Sequence, residues 1–258
     1  MQQAILVASF GTSHEPARRQ TICAVEEEIR RAFPARRLAA AYTSPRIRKS
    51  LKARGVFVDA PDRAVEGLLR DGVRDITVQP THVICGEEYD RLLQGLRPYQ
   101  GEARIRVGLP LLSTTQDLQQ AAALLCRRHP VLPDTCTVFM GHGTQHPANA
   151  VYPALAYMLQ SAGRQDLFVA TAEGYPALSD VLPQIQAAYR KVRLVPLMLA
   201  AGEHAAEDMA GDAPASWKSI LEKRGLLPEP VLKGLGEDPG FRAFYVRHIR
   251  QAALLSEK

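Results

Sequence analysis

Phe10-Gly11-Thr12-Ser13-His14, directly after the apolar run 4–8, and His142-Gly143-Thr144-Gln145-His146, directly after the run 137–140, share glycine, threonine and histidine in register. Two further matches follow in the same order. Ala41-Tyr42-Thr43-Ser44-Pro45 lies over Ala172-Glu173-Gly174-Tyr175-Pro176, sharing alanine and proline. Pro80 through Cys85-Gly86-Glu87-Glu88 lies over Pro196 through Ala201-Gly202-Glu203-His204, with the proline, the glycine and the first glutamate superposed. Three ordered matches argue for an internal duplication, two similar halves with equivalent loops.

Around these motifs short apolar runs alternate with amphipathic stretches. The runs 4–8, 38–43, 76–79, 105–109, 137–140, 167–172 and 192–199 read as strands. Segments 16–33 and 148–160 carry apolar residues at helical spacing, and Asp62 is read as the cap of a third helix. Alternation of this kind predicts an α/β fold with parallel sheets covered by helices. The first lobe is expected over residues 1–128 and the second over 131–237, with His129-Pro130 as the linker. A cleft between the lobes is the expected ligand site, because ligands of open parallel sheets bind beyond the carboxyl ends of the strands.

The bulk properties exclude several classes. With 258 residues, 46% hydrophobic and 23% charged, the chain has the composition of a globular enzyme and not of a disordered or miniature protein. The N-terminus lacks the basic and long apolar regions of a secretory signal, and no run reaches membrane-span length. A cytoplasmic protein without membrane insertion is expected. Cys23, Cys85, Cys126 and Cys136 show no paired spacing, so reduced thiols are expected. The net charge of +5 comes from Lys and Arg scattered among Asp and Glu, which argues against nucleic acid and suits a carboxylate-rich substrate.

The halves differ where chemistry is expected. His142, Glu173 and His204 stand in the second half where Phe10, Tyr42 and Glu88 stand in the first. Each follows a different strand, and adjacent strands are about 4.8 Å apart, so the three side chains could converge on one ion. Two imidazoles and a carboxylate make an open site for Co²⁺, Fe²⁺, Ni²⁺ or Zn²⁺, and the lack of cysteine argues against a closed structural zinc site. A lone histidine after a strand is more often structural; the triple at equivalent strand ends is what favours a ligand set. His14 and His146, beside prolines at helix starts, read as caps, and His82 reads as a buried, hydrogen-bonded histidine inside the third strand. Glu87 and Glu88 open a helix, where negative charge is favourable regardless of function. The glycine turns could hold an anion on free N–H groups, although neither contains a nucleotide fingerprint. Substrate contacts are expected at Ser9, Phe10, Gly11, Thr12, Glu88 and Tyr89, and Arg46, Arg48 and Lys49 are candidate carboxylate partners balanced against a solvated helix face.

These residues sit in stretches that resemble one family over essentially the whole chain. LVASFGTSHEP, VFMGHGTQHPA, AEGYP, PLMLAAGEHAAEDMAGD and GLGEDP resemble the class II tetrapyrrole chelatases, most nearly the anaerobic sirohydrochlorin cobaltochelatases of the CbiK type. The resemblance implies two flavodoxin-like lobes in a chelatase-like fold, with the tail 238–258 returning as a helix to the first lobe. It implies His142, Glu173 and His204 as metal ligands and catalytic residues, Co²⁺ as the substrate metal with Fe²⁺ or Ni²⁺ as alternatives, and no organic cofactor. It implies a sirohydrochlorin-type tetrapyrrole as partner, cobalamin synthesis as the setting, and is compatible with a homo-oligomer. Gly86-Glu87-Glu88-Tyr89 departs from the family pattern by Glu for Asp at its second position, and Pro147 stands where some relatives have another histidine. A ferrochelatase or nickel chelatase, a haem or metal carrier without turnover, and a nucleotide-binding enzyme are the competing readings.

Overall fold

The computed structural model describes residues 2–256. The chain divides into two compact units, Met1–Leu111 with Gly236–Lys258, and Leu112–Leu235. The first contains β1 (Gln3–Ser9), α1 (Glu15–Arg18), α2 (Ala24–Ala32), β2 (Arg37–Tyr42), α3 (Pro45–Ala53), α4 (Pro61–Arg70), β3 (Asp75–Pro80), α5 (Glu87–Leu96) and β4 (Arg104–Val107). The second contains α6 (Thr115–Arg128), β5 (Thr135–Gly141), α7 (Val151–Ser161), β6 (Leu167–Thr171), α8 (Leu178–Ala188), β7 (Lys191–Pro196), α9 (Trp217–Lys223) and β8 (Leu227–Pro230). The first unit is then completed by α10 (Pro239–Arg250) and β9 (Ala253–Leu254).

Each sheet has the same strand order. It is β2-β1-β3-β4-β9 in the first unit and β6-β5-β7-β8 in the second, with every pair parallel except β4 and β9. This is the second-first-third-fourth order of flavodoxin-like sheets. The central strands β1 and β5 are apolar on both faces because helices cover both, so they read as continuous runs and not as alternating ones. In the first core Leu6, Ala8, Val78 and Ile105 pack with Val65 and Leu68 of α4 and with Leu92 and Leu96 of α5. In the second, Val138, Met140, Ala170 and Leu194 pack with Leu182 and Ile185 of α8 and Leu221 of α9.

Several local expectations need correction. The division falls at Leu111/Leu112 and not at 128–131. A reciprocal capping box starts α6: Asp117 N–H donates to Thr114 Oγ1 at 3.1 Å and Thr114 N–H donates to Asp117 Oδ2 at 2.9 Å. That helix packs on α7 of the second unit. His129-Pro130 is therefore no linker between units; Arg164 donates to the His129 and Cys126 carbonyls and pairs with Asp166 at 2.6 Å, closing the end of α6. The helix expected over 16–33 is present from Glu15 to Ala32 and widens into a π turn at Arg19–Cys23, where buried Thr21 turns its hydroxyl onto the Ala17 carbonyl at 2.5 Å. Ala60, not Asp62, occupies the N-cap of α4, with Pro61 in the first turn. The helix expected over the tail 238–258 stops at Arg250, and Ala253–Leu254 pairs antiparallel with β4.

Candidate metal centre

Ladder hydrogen bonds at the carboxyl ends of the strands set the true correspondence of the two units. Thr81 N–H donates to the Ala8 carbonyl and Leu197 N–H to Met140, which preserves the third motif match and pairs Glu88 with His204. Thr43 N–H donates to Ser9 and Ala172 N–H to Gly141; Ser44 N–H donates to Phe10 and Glu173 N–H to His142. The counterpart of Glu173 is thus Ser44 and not Tyr42. Two residues, 43–44, join β2 to α3, whereas six, 172–177, join β6 to α8. The longer loop lets Glu173 stand at a strand end, where its counterpart Ser44 is consumed as the N-cap of α3, accepting from Ile47 N–H.

That loop is tied down from both sides. Gly174 N–H donates to Thr171 Oγ1 at 3.1 Å, and Thr171 Oγ1 donates to the Pro176 carbonyl at 3.0 Å, after a cis Tyr175-Pro176 bond. Asn149 accepts from Thr144 N–H at 3.1 Å and donates to the Tyr175 carbonyl at 2.6 Å, linking the loops after β5 and β6. His146 acts as a cap, its Nδ1 accepting from Ala148 N–H at 3.1 Å, while His14 makes no side-chain cap bond. An open cavity of about 440 Å³ lies beside Glu173, lined also by Thr144, Gln145, His146, Gly174 and Tyr175.

Within the second unit the two expected histidine ligands are neighbours. The rings of His142 and His204 meet edge to face, with centroids 4.6 Å apart and planes at 86°. One ion bound by two imidazoles through bonds of about 2.1 Å would hold the centroids roughly 4.6–5.3 Å apart, so the observed spacing lies at the near end of that range. His142 directs Nδ1 at the Gly143 carbonyl, 2.9 Å away, and His204 directs Nδ1 at Asp208 Oδ2, 2.6 Å away. Both oxygens accept, so in the neutral form of each ring the hydrogen belongs on Nδ1 and Nε2 is the nitrogen left to bind a metal. Side-chain exposures of 46% for His142 and 41% for His204 leave both reachable by an incoming ion. Glu173 Oε2 lies 4.0 Å from His142 Nδ1, on the ring edge away from that lone pair, with its side chain 61% exposed. Accordingly, among the described residues no three His, Cys, Asp or Glu side chains already form a cage for an ion. A site that used Glu173 together with both imidazoles would require its side chain to rotate, and its exposure leaves room for that.

The first unit's expected substrate residues fall into two groups. Ser9 and Thr12 are buried and occupied, Ser9 Oγ accepting from Thr81 Oγ1 at 2.8 Å and Thr12 Oγ1 from His14 N–H at 3.2 Å. Their side chains brace the loop. Phe10 is an exposed aromatic side chain beside them, followed by Gly11, which lies against the Tyr42 ring. Glu88 accepts from Thr43 Oγ1 at 3.2 Å and pairs with Arg91, and Tyr89 is half-buried, its phenol pushed up to about 12 by that burial.

His82 is not the satisfied strand histidine expected from sequence. It lies beyond the end of β3, and both ring nitrogens are sealed from solvent with no hydrogen-bond partner, although the residue keeps some exposed surface. Burial holds its pKa down to about 4, opposed by the charge of Glu88. The folded value lies below the unfolded value of about 6.5, so the unfolded chain binds the extra proton. The associated stability is complete above about pH 6.5 and is lost progressively as pH falls to 4, at most roughly 3 kcal/mol. Denaturant unfolding at pH 7 and pH 5 should show this loss in the native chain and a smaller one in His82→Leu; equal losses would exclude His82 as its source.

Comparison with known proteins follows the same lines. The family model for the cobalt chelatase CbiK matches residues 3–254. The sirohydrochlorin cobaltochelatase of Salmonella typhimurium is 38% identical, covering 98% of this chain and 97% of that protein. The sirohydrochlorin cobaltochelatase CbiKC of Nitratidesulfovibrio vulgaris is 35% identical, covering 97% and 90%. Among solved structures, SirB from Bacillus subtilis with Fe³⁺ superposes with a TM-score of 0.66 at 14% identity, covering 97% of this chain and 95% of that one. CbiX, described as the terminal enzyme for siroheme biosynthesis in denitrifying bacteria, gives 0.56 at 20% identity, covering 97% and 99%. These two show a shared fold. A family match over residues 3–254, together with two near-full-length relatives above 30% identity, establishes that the chain belongs to the CbiK cobalt chelatase family.

Proposed function

We propose that this chain inserts Co²⁺ into sirohydrochlorin, a step of cobalamin biosynthesis, and that His142 and His204 hold the ion for transfer. The observation that carries the assignment of the site is the pair of neighbouring imidazoles, each with Nδ1 engaged by an oxygen and Nε2 left as donor. Glu173 supplies a third, mobile ligand after rotation. Three donors leave coordination positions open for water and then for ring nitrogens, as a site that must release its ion requires.

The reaction exchanges ligands without a change of oxidation state. Four ring nitrogens replace protein and water ligands, and two pyrrole N–H protons are lost for each Co²⁺ inserted. No organic cofactor is needed for that balance. Each of the two imidazoles, on leaving the ion, regains a basic Nε2 lone pair next to the ring and accepts one of those two protons, which then pass to solvent. On the first unit Phe10 and Gly11, with Glu88 and Tyr89, are assigned contacts with the tetrapyrrole, and Ser9 and Thr12 hold their loop. A cytoplasmic setting is part of the proposal; among the described residues no helix is long and apolar enough to cross a membrane.

Imidazole and carboxylate also accept Fe²⁺ and Ni²⁺, so metal choice is tested directly. An anaerobic absorbance assay with sirohydrochlorin and equal low concentrations of Co²⁺, Fe²⁺ and Ni²⁺ should show multiple turnovers, fastest with Co²⁺. Fastest turnover with Fe²⁺ would reassign the enzyme as a ferrochelatase. Uptake that stops at one equivalent would make it a carrier.

A further inference from the structure

His204 lies at the N-cap of a π turn, Ala205–Met209. The wider turn is closed by Ala210 N–H donating to the Ala205 carbonyl at 3.2 Å, and it leaves Asp208 four residues on and beside the ring. The contact is short, His204 Nδ1 to Asp208 Oδ2 at 2.6 Å, although both side chains are substantially exposed, 41% and 53%. An exposed pair of this kind contributes little to stability, commonly below about 1 kcal/mol, so holding the turn together is a poor account of it. π turns set into helices also concentrate at functional sites.

A second observation points the same way. His142, from another strand end, has its own Nδ1 on the Gly143 carbonyl, so both rings of the edge-to-face pair are committed at Nδ1 and open at Nε2. A main-chain carbonyl fixes one ring; among the described residues Asp208 is the hydrogen-bond partner of the other.

We propose that Asp208 is the positioning residue of this centre: by accepting the Nδ1 hydrogen of His204 it holds the Nε2 tautomer and the ring rotation that receive a divalent cation. The proposal rests on the assignment of His204 as a metal ligand. A carboxylate behind a ligating imidazole fixes its orientation and strengthens it as a donor, and loss of such a partner commonly weakens metal binding about 10–100-fold. In this role Asp208 acts through the His204 ring and not on the ion itself.

The test uses the full chain without tetrapyrrole. Co²⁺ affinity is measured by anaerobic titration, and the His204 tautomer by ¹⁵N–¹H NMR of histidine-labelled, metal-free protein. Asp208→Ala should weaken Co²⁺ binding about 10–100-fold and shift His204 away from the Nδ1–H tautomer. Asp208→Asn, whose amide oxygen still accepts, should fall between it and the native chain. Glu207→Ala, on the same turn and exposed, is the control. If His204→Ala abolishes Co²⁺ binding while Asp208→Ala matches Glu207→Ala in both affinity and tautomer, the positioning role is overturned and the ligand assignment stands. Unchanged Co²⁺ binding in His204→Ala would overturn the ligand assignment and this proposal with it.

Discussion

His142→Ala is expected to abolish catalysed Co²⁺ insertion, with a loss in kcat/KM exceeding the roughly 10–100-fold typical of removing only an outer-sphere partner. The variant gives up an imidazole donor that no described neighbour replaces, because Glu173 lies on the far edge of the same ring and His204 has a single free nitrogen. The fold should hardly register the change. The side chain is nearly half exposed, and its hydrogen bond reaches only the carbonyl of the next residue. A stability change below about 1 kcal/mol, or a melting shift of no more than about 4 °C, is therefore expected. Sirohydrochlorin turnover and thermal unfolding on the same preparation check both halves of the statement. Turnover near the native rate would remove His142 from the metal centre.

Gly143→Ala should have the largest effect on fold and activity together. Gly143 has φ of +82°, and an added Cβ would stand 2.6 Å from the Gly174 backbone nitrogen and 2.8 Å from Thr171 Cβ. Gly163 has nearly the same φ, +79°, with nothing within 4 Å of an added Cβ, so Gly163→Ala isolates the conformational cost, about 1–2 kcal/mol. Gly143→Ala adds overpacking against backbone, for a total of about 2–5 kcal/mol. It also pushes apart the loops that carry His142 and Glu173. Denaturant unfolding of the two variants side by side, with turnover measured on each, separates the effects. Equal destabilisation would mean that the contact with Gly174 relaxes without cost.

Much of this architecture is legible in the sequence, for identifiable reasons. The seven apolar runs became β1–β7, most plainly β1, β3, β5 and β6, which are buried along nearly their whole length because both faces are covered. β8 was not legible: Leu-Pro-Glu-Pro carries two prolines and exposed residues, tolerable only at a sheet edge. β9 has two residues and follows helical spacing too closely to stand out. The repeat located the strand ends but misplaced Glu173 by two residues, because the shared alanine and proline belong to loops of unequal length and only ladder hydrogen bonds reveal the register. His142, Glu173 and His204 were found as departures from that repeat. Asp208 left no such mark, since its contact with His204 depends on a π turn that spacing alone does not show. His82 misled for a related reason: an apolar neighbourhood suggests burial in sequence but says nothing about the partners of two ring nitrogens.

The return of the chain to its first unit also bears on how the protein is made. Phe241, Phe244, Tyr245 and Ile249 of α10 are buried in the first unit, and the Tyr245 hydroxyl donates to the Thr81 carbonyl at 3.0 Å. During synthesis Leu235, the last residue of the second unit, is added before any of them. A growing chain therefore holds every strand of the second unit while the first, begun earlier, still lacks the helix that seals its core. The half that is started first on the ribosome is the half that is finished last.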